Sequence, residues 1–236
     1  MKQHVIKIFL LAVLVCCPFR ISAQWKVGIG MGYTTNSVST NESYFYDRHY
    51  ETRGGIALSI PVQYNFKEWF ALETEVTYVQ KNHRVQRSGY YSPLYENNTN
   101  HYLSIPVYSH FSFGGEKLRG FLNAGFYAGY WLASHRKGKT FSVYGLGDSF
   151  GSDISELDEL YEYDENLSFD SRRDNRFDAG ALAGIGMEYS ISKRLQVTAE
   201  CRYYYSLTDM QKKYMRQHIP HYNNTFAFQI GLMIGL

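Results

Sequence analysis

Cysteine and proline are scarce in this chain: its 236 residues include 3 cysteines and 5 prolines. Cys16 and Cys17 fall in an amino-terminal stretch with the marks of a secretory signal. Lys2 and Lys7 open it, Ile8 to Cys17 is apolar, and Ser22-Ala23 offers small residues before Gln24. Neither cysteine follows the small residue that lipoprotein processing needs, so cleavage after Ala23 is the expectation. That leaves Cys201 alone, which excludes an intramolecular disulfide even in an oxidising compartment. Excess charge of one sign is also missing. Loss of Lys2, Lys7 and Arg20 lowers Lys+Arg from 24 to 21 against 22 acidic residues, so nucleic acid is not an implied partner. No later stretch approaches the ~20 apolar residues of a transmembrane helix.

Motifs of catalysis and cofactor binding are missing as well. There is no phosphate-binding glycine loop, serine elbow or CxxC. Gly28-x-Gly-x-Gly32 sits in a strand pattern with no helix pattern behind it. His218-x-x-His221, with Pro220 between the two histidines, reads as surface residues rather than a metal site. No cofactor and no metal are expected. What the chain does have is 20 glycines, 22 tyrosines and 17% aromatic residues.

The carboxy-terminal stretch Thr225–Leu236 shows how these are used. Phe226, Phe228, Ile230, Leu232, Ile234 and Leu236 alternate with Ala227, Gln229, Gly231, Met233 and Gly235. Period-two alternation makes a strand with one apolar face and one small or polar face. Seven more stretches behave alike: Trp25–Tyr33, Gly55–Tyr64, Trp69–Gln80, Tyr102–Phe113, Gly120–Leu132, Arg176–Tyr189 and Leu195–Leu207. None carries Asp, Glu, Lys or Arg in its apolar phase. The opposite phase is rich in glycine and holds Lys26, Glu73, Glu75, Asp178, Glu188, Glu200 and Arg202. These strands exceed the ~5–6 residues usual in globular sheets and match the ~9–11 that a tilted strand needs to cross a bilayer.

The connections alternate between short (Asn65–Glu68, Gly114–Arg119, Ser190–Arg194) and long (Thr34–Gly54, Lys81–His101, Ala133–Asn175, Thr208–Asn224). Short turns at one end and long loops at the other predict an all-β, eight-stranded, antiparallel, up-and-down transmembrane β-barrel with both termini on the short-turn side. Trp25, Tyr64, Phe66, Trp69, Phe111, Phe113 and Tyr189 are expected in one aromatic girdle. Tyr33, Tyr78, Tyr102, Tyr130, Trp131, Tyr203, Tyr205 and Tyr222 are expected in the other. Leu58-Ser-Ile-Pro-Val62 recurs as Leu103-Ser-Ile-Pro-Val107, and Pro61 and Pro106 are expected to mark bulges, since proline cannot donate to a ladder.

The signal peptide, this L-x-I-P element, Gly180-Ala-Leu-Ala-Gly-Ile-Gly-Met-Glu-Tyr189 and Arg202-Tyr-Tyr-Tyr-Ser-Leu-Thr-Asp209 together resemble the PorT-like outer-membrane β-barrel family of gram-negative bacteria. Gln229–Leu236 also resembles the carboxy-terminal signal read by the barrel-assembly machinery, but ends in Leu rather than an aromatic residue. The resemblance implies an integral, porin-like protein of the outer membrane, residues 24–236 forming one barrel domain. It does not carry over one member's role in secretion.

Two clusters are candidate sites. The first is an interior charge network of Lys26, Glu73, Glu75, Asp178, Glu188, Glu200 and Arg202. Glycines at 28, 30, 32, 125, 129, 180, 184 and 186 leave room there for Tyr108, Tyr127, Arg202 and Tyr204. An eight-stranded barrel is just wide enough for its side chains to fill, so a structural plug is expected and a wide pore is not. A catalytic or proton-handling cluster is the competing reading, and it needs a nucleophile–base pair in hydrogen-bond reach. The second is an acidic external loop with Asp153, Glu156, Asp158, Glu159, Glu162, Asp164 and Glu165, paired with Arg172, Arg173 and Arg176. Ile154, Leu157, Leu160 and Tyr161 lie at helical spacing within it, which predicts a short helix. The expected function is a structural or interaction role with four external loops and no catalysis. Its partners are outer-membrane lipids, the barrel-assembly machinery and another envelope protein. A small-barrel enzyme acting on outer-membrane lipid, an accessory component of a secretion or transport complex, and a lipocalin-like soluble binder are the alternatives.

Overall fold

The computed structural model describes residues 24–40, 48–141, 160–214 and 218–236. Among these described residues ten strands run β1 Trp25–Thr40, β2 Arg48–Lys67, β3 Phe70–Gln80, β4 His83–Arg87, β5 Tyr95–Gly114, β6 Leu118–Phe141, β7 Leu160–Asn166, β8 Phe177–Ser190, β9 Leu195–Ser206 and β10 His221–Gly235. All pairings are antiparallel. They run β1–β2–β3–β5–β6–β8–β9–β10, and β10 returns to β1 over Lys26–Thr40, so the sheet closes on itself. The two further strands are short. β4 lies between β2 and β5, beyond the end of β3, and β7 pairs with the far end of β6.

The break between β3 and β4 falls at Lys81 and Asn82. The Asn82 amide donates to the Gly54 carbonyl (2.7 Å), and its carbonyl oxygen accepts from the Asn100 backbone N–H (3.1 Å). One side chain thus bridges both neighbouring strands where the ladder lapses, which keeps buried backbone groups paired.

The faces follow the alternation. Ile29, Phe126 and Ile185 stand on the outside with 66%, 71% and 60% of their surfaces exposed, while Tyr108, Tyr127, Leu182, Tyr204 and Ala227 pack together inside. An apolar outer surface with a partly polar interior suits a closed sheet in lipid. A concavity of about 1020 Å³ also lies on this outer apolar face, between Met31, Leu58, Ile185 and Ile230. Ile185→Lys should therefore cost about 2–4 kcal/mol of unfolding free energy in lipid vesicles, and Ile185→Leu under about 1.5. Equal losses would show that Ile185 does not face lipid.

Several expectations need correction. The long connections are not all loop: β1, β2, β5, β6 and β10 run on past the apolar belt. Beyond it, β2, β4, β5, β6 and β7 form a continuous antiparallel wall. Residues 160–166 are strand, so the expected helix is not present at Leu160 and Tyr161; Ile154 and Leu157 lie outside the described residues. The prolines do not make bulges. Register is the same on either side of Pro61 in β1–β2 and of Pro106 in β3–β5, and the ladder merely skips pairs there. The missing N–H opens a gap, and Thr74 Oγ1 donates to the Pro106 carbonyl at 2.9 Å.

The short-turn girdle forms a run of rings, Trp25–Tyr64–Phe66–Phe70–Phe111, with neighbouring centroids 4.8–5.7 Å apart. At the other end Tyr33, Tyr130, Tyr203 and Tyr205 are exposed as expected. Tyr102 and Trp131 are not. They lie inside, stacked at 5.7 Å and 7°. Both share the phase of the inward residues, and they still pair in the register of the belt; the shift at His101/Tyr102 comes just beyond, where His101 pairs with Ala133 and Leu132 and Ala133 are both left exposed.

Candidate functional site

The candidate residues project from the inner face of the barrel, and the structure sorts them into separate layers. At mid-height the Arg202 guanidinium is 1% exposed. It grips Glu200 with two bonds, Nε to Oε1 at 2.9 Å and Nη2 to Oε2 at 2.6 Å. Nη2 also donates to Glu75 Oε1 and to the Tyr108 hydroxyl, each at 2.8 Å, and Nη1 donates to the Tyr204 hydroxyl at 3.0 Å. Tyr108 donates to Glu73 Oε1 at 2.8 Å and also meets Glu75. Asn123 donates to Glu200 Oε1 (2.9 Å) and accepts from His110 Nδ1 (2.8 Å). Glu73, Glu75, Glu200 and Arg202 thus form one group. Buried charges persist when they are paired and hydrogen-bonded in this way.

Glycine makes the room. A Cβ at Gly125 would come within 2.6 Å of Tyr108 Cα and Cβ, and one at Gly184 would meet the Glu200 carboxylate at 2.1 Å. Pro61 and Pro106 flank Glu75 on the neighbouring strands, so both ladder gaps open beside this layer. The space left around it is about 40 Å³, enough for a few ordered waters and too little for a solute.

The remaining members lie elsewhere. Asp178 binds Lys81 Nζ at 2.6 Å and accepts from Ser206 (2.6 Å), Thr208 (3.2 Å) and Tyr127 (3.3 Å). The Lys81 ammonium also faces the rings of Tyr127 (4.7 Å) and Tyr102 (5.3 Å). Glu188 sits toward the short-turn end, 3.4 Å from Arg119 Nε and 3.8 Å from His110 Nε2. Lys26 donates to Gln196 (2.6 Å) rather than to a carboxylate. Lys26, Glu188, His110 and Arg119 line a mouth of about 500 Å³. Above Asp178, an amide layer includes Asn36 bonded to Asn223 (3.0 Å) and Asn100 accepting from Ser134 (2.7 Å).

A closed antiparallel barrel with an apolar exterior and a filled polar interior meets one further observation. Residues 18–212 match the family described as outer membrane protein beta-barrel domain. The chain belongs to that family. It is an outer-membrane β-barrel of the gram-negative type. No curated protein matches it in sequence. Among solved structures, the outer membrane protease OmpT from Escherichia coli is similar, with a TM-score of 0.52 and 8% identity over 90% of this chain and 96% of that one. Neisserial surface protein A has a TM-score of 0.46 and 13% identity over 91% and 98%. OprG from Pseudomonas aeruginosa has a TM-score of 0.49 and 10% identity over 90% and 95%. At these identities the likeness is one of fold alone.

In this outer-membrane barrel the acidic segment is a strand along β6. Lys139 meets Glu162 at 2.7 Å, and Asp164 meets Lys137 at 3.2 Å and His135 at 2.7 Å. Glu165 stands opposite Arg136 in register. Asp153, Glu156, Asp158 and Glu159 lie outside the described residues. Among the described residues, Glu162 and Asp164 are thus partnered by basic residues of β6 rather than by Arg172, Arg173 or Arg176. Arg172 lies 3.7 Å from Asp170, Arg173 grips Asp174 (2.8 Å), and Arg176 donates to the Trp131 and Leu132 carbonyls. The ammonium of Lys139 holds Glu162 below the usual carboxylate range, and Lys137 does the same for Asp164. A depressed carboxylate contributes stability that is lost as pH falls through its folded-state pKa. Hydrogen-exchange protection along β6–β7 should therefore drop on acidification from neutral pH to about 3, and high salt should weaken it at neutral pH. Protection unchanged under both conditions would assign that hairpin's order to its backbone ladder alone.

The sequence reading passed over Lys81, Tyr108 as a bridge between carboxylates, His110, Arg119 and the amide layer. Lys81 had a visible signal. Glu73, Glu75, Thr77, Val79 and Lys81 share one phase, so alternation carried past Gln80 puts Lys81 inside.

Proposed function

We propose that this chain is a plugged outer-membrane barrel of eight staves that serves as a structural or interaction protein at the cell surface. Two staves are each built from two segments, β3 with β4 and β7 with β8. Within its family the quoted motifs favour the PorT-like members. The observation that carries the reading is the Arg202 layer: a densely hydrogen-bonded cross-section with about 40 Å³ of free space. No catalytic role is assigned to it, because every carboxylate in the layer is engaged by Arg202, Tyr108 or Asn123. What such a barrel offers the outside is its wall of β2, β4, β5, β6 and β7. Its proposed partners are lipids around the apolar belt, the assembly machinery that reads the last strand, and another envelope protein at the outer end.

Planar-bilayer recording of the purified barrel tests the plug. Discrete conductance steps are not expected, and steady steps of porin size would overturn the reading. Cross-linked affinity purification from outer membranes tests the interaction role. A stoichiometric envelope partner supports membership of a secretion or transport complex, while recovery of the barrel alone assigns it a free-standing role.

A further inference from the structure

Above the amide layer the barrel opens into an outer vestibule of about 280 Å³, lined among others by Tyr50, His83, Asn98, Trp131, Arg136 and Met210. Its volume is just below the ~300–1,000 Å³ usual for ligand sites, and it combines an aromatic floor with a few polar groups. Trp131 is held in place by Tyr102 beneath it and by Phe169 edge-on at 4.9 Å.

The polar groups differ in how far they are already engaged. Glu96 accepts from Asn98 (2.8 Å) and from the Tyr163 hydroxyl (2.9 Å). Asp174 is held by Arg173 through two bonds, 2.8 and 3.2 Å. Arg53 donates to the Asn98 carbonyl at 3.5 Å. Arg136 is the exception. Its guanidinium donates no hydrogen bond to any described residue, its buried Nε has no partner, and the nearest carboxylate, Glu96, is 3.9 Å away. A guanidinium offers five N–H donors in a planar fork suited to carboxylate and phosphate oxygens.

His83 adds a second donor. The Asn100 carbonyl is occupied by Ser134, so its amide nitrogen faces His83 Nδ1 at 3.4 Å. Nδ1 therefore accepts, and the proton of the neutral ring sits on Nε2, which is engaged by no described residue. The ring is 8% exposed. Burial lowers its pKa to about 4, Glu96 opposes that shift, and Arg136, His221 and Arg53 add to it, so the ring is neutral at physiological pH. A charged guanidinium with unengaged donors, beside an apolar floor and a neutral N–H donor, favours an acceptor that carries negative charge.

We propose that the outer vestibule binds a small organic anion, a carboxylate or phosphate joined to a flat apolar body, with Arg136 holding the anionic group and Trp131 supporting the body. The inference goes beyond the plugged-barrel reading and does not depend on it, since the vestibule lies above the plug.

The test is calorimetric titration of the full mature barrel in detergent, in phosphate-free buffer, with benzoate, phenyl phosphate and neutral benzamide. Saturable one-site binding is expected for at least one anion, with benzamide at least about tenfold weaker. R136Q should weaken the anion about tenfold while the barrel keeps the altered gel mobility of its unheated form. E96Q, which removes the competing charge and keeps an acceptor for Asn98 and Tyr163, should tighten anion binding severalfold. A gain of that kind is not produced by general loosening of the fold. Preference between the two anions identifies the headgroup as carboxylate or phosphate. No saturable binding of either anion, equal binding of benzamide, or indifference to R136Q and E96Q would overturn the proposal.

Discussion

Arg202→Met is expected to destabilise the barrel by about 3–5 kcal/mol, measured as the shift in denaturant unfolding in lipid vesicles. The substitution keeps the side-chain volume and removes every bond that the guanidinium makes. Glu75 and Glu200, each bonded to Arg202 and each almost fully buried, then lose their counter-charge in a space too small to rehydrate them. Most of the cost is the stranded carboxylates rather than the lost attraction, since truncating one partner of a buried pair leaves the other uncompensated. That distinction is measurable. Adding Glu75→Gln and Glu200→Gln to Arg202→Met should recover a substantial part of the loss, because amides need no counter-charge. If the triple variant were no more stable than Arg202→Met, the layer would owe its stability to guanidinium packing and not to charge balance.

A loss of the same order, about 3–5 kcal/mol, is expected for Lys81→Met. Lys81 and Asp178 have side chains 2% and 7% exposed, and their contact at 2.6 Å joins the end of β3 to the start of β8 across the lumen. Ser206, Thr208 and Tyr127 supply further hydrogen bonds to Asp178, so the carboxylate keeps its donors but loses its cation. Lys81→Met with Asp178→Asn should sit well above Lys81→Met alone, and a double-mutant cycle isolates the pair from the cation–π contacts to Tyr127 and Tyr102. Additive losses would mean that Lys81 is held by the aromatic rings and that Asp178 is stabilised by its hydroxyl partners. Because Lys81 lies at the break between β3 and β4, the single variant should also raise hydrogen exchange along β4 before the remaining strands. Uniform exchange would remove the break from the account.

The facing of the strands was legible because it depends on local chemistry. In Phe177–Ser190, each residue's side follows from its parity, and Phe177, Ile185 and Met187 stand outward while Asp178, Leu182 and Glu188 turn in. The same rule puts Trp131 inside, in phase with Phe121, Asn123 and Tyr127, so its expected place in the rim girdle runs against parity; the register shift comes only after it, at Leu132 and Ala133. The rule was stopped too early at Gln80, which left Lys81 in a presumed loop. The prolines show the converse. Their missing N–H was read correctly, but a closed sheet held by both neighbours absorbs the gap without changing register.

The sequence alone determined the class of structure: alternating strands with uncharged outer faces, short turns at one end, and enough inward glycine to admit large polar side chains. These follow from period and composition, which act residue by residue. Only the tertiary structure decided which charges meet. Glu75 and Arg202 are 127 residues apart in sequence, and Lys81 and Asp178 are 97 apart. Their pairing depends on strand register and on the height at which each side chain enters the lumen. It also decided that the acidic segment lies as a strand along β6, because complementary charges at Lys137 and Lys139 come into register only once that strand extends beyond the membrane.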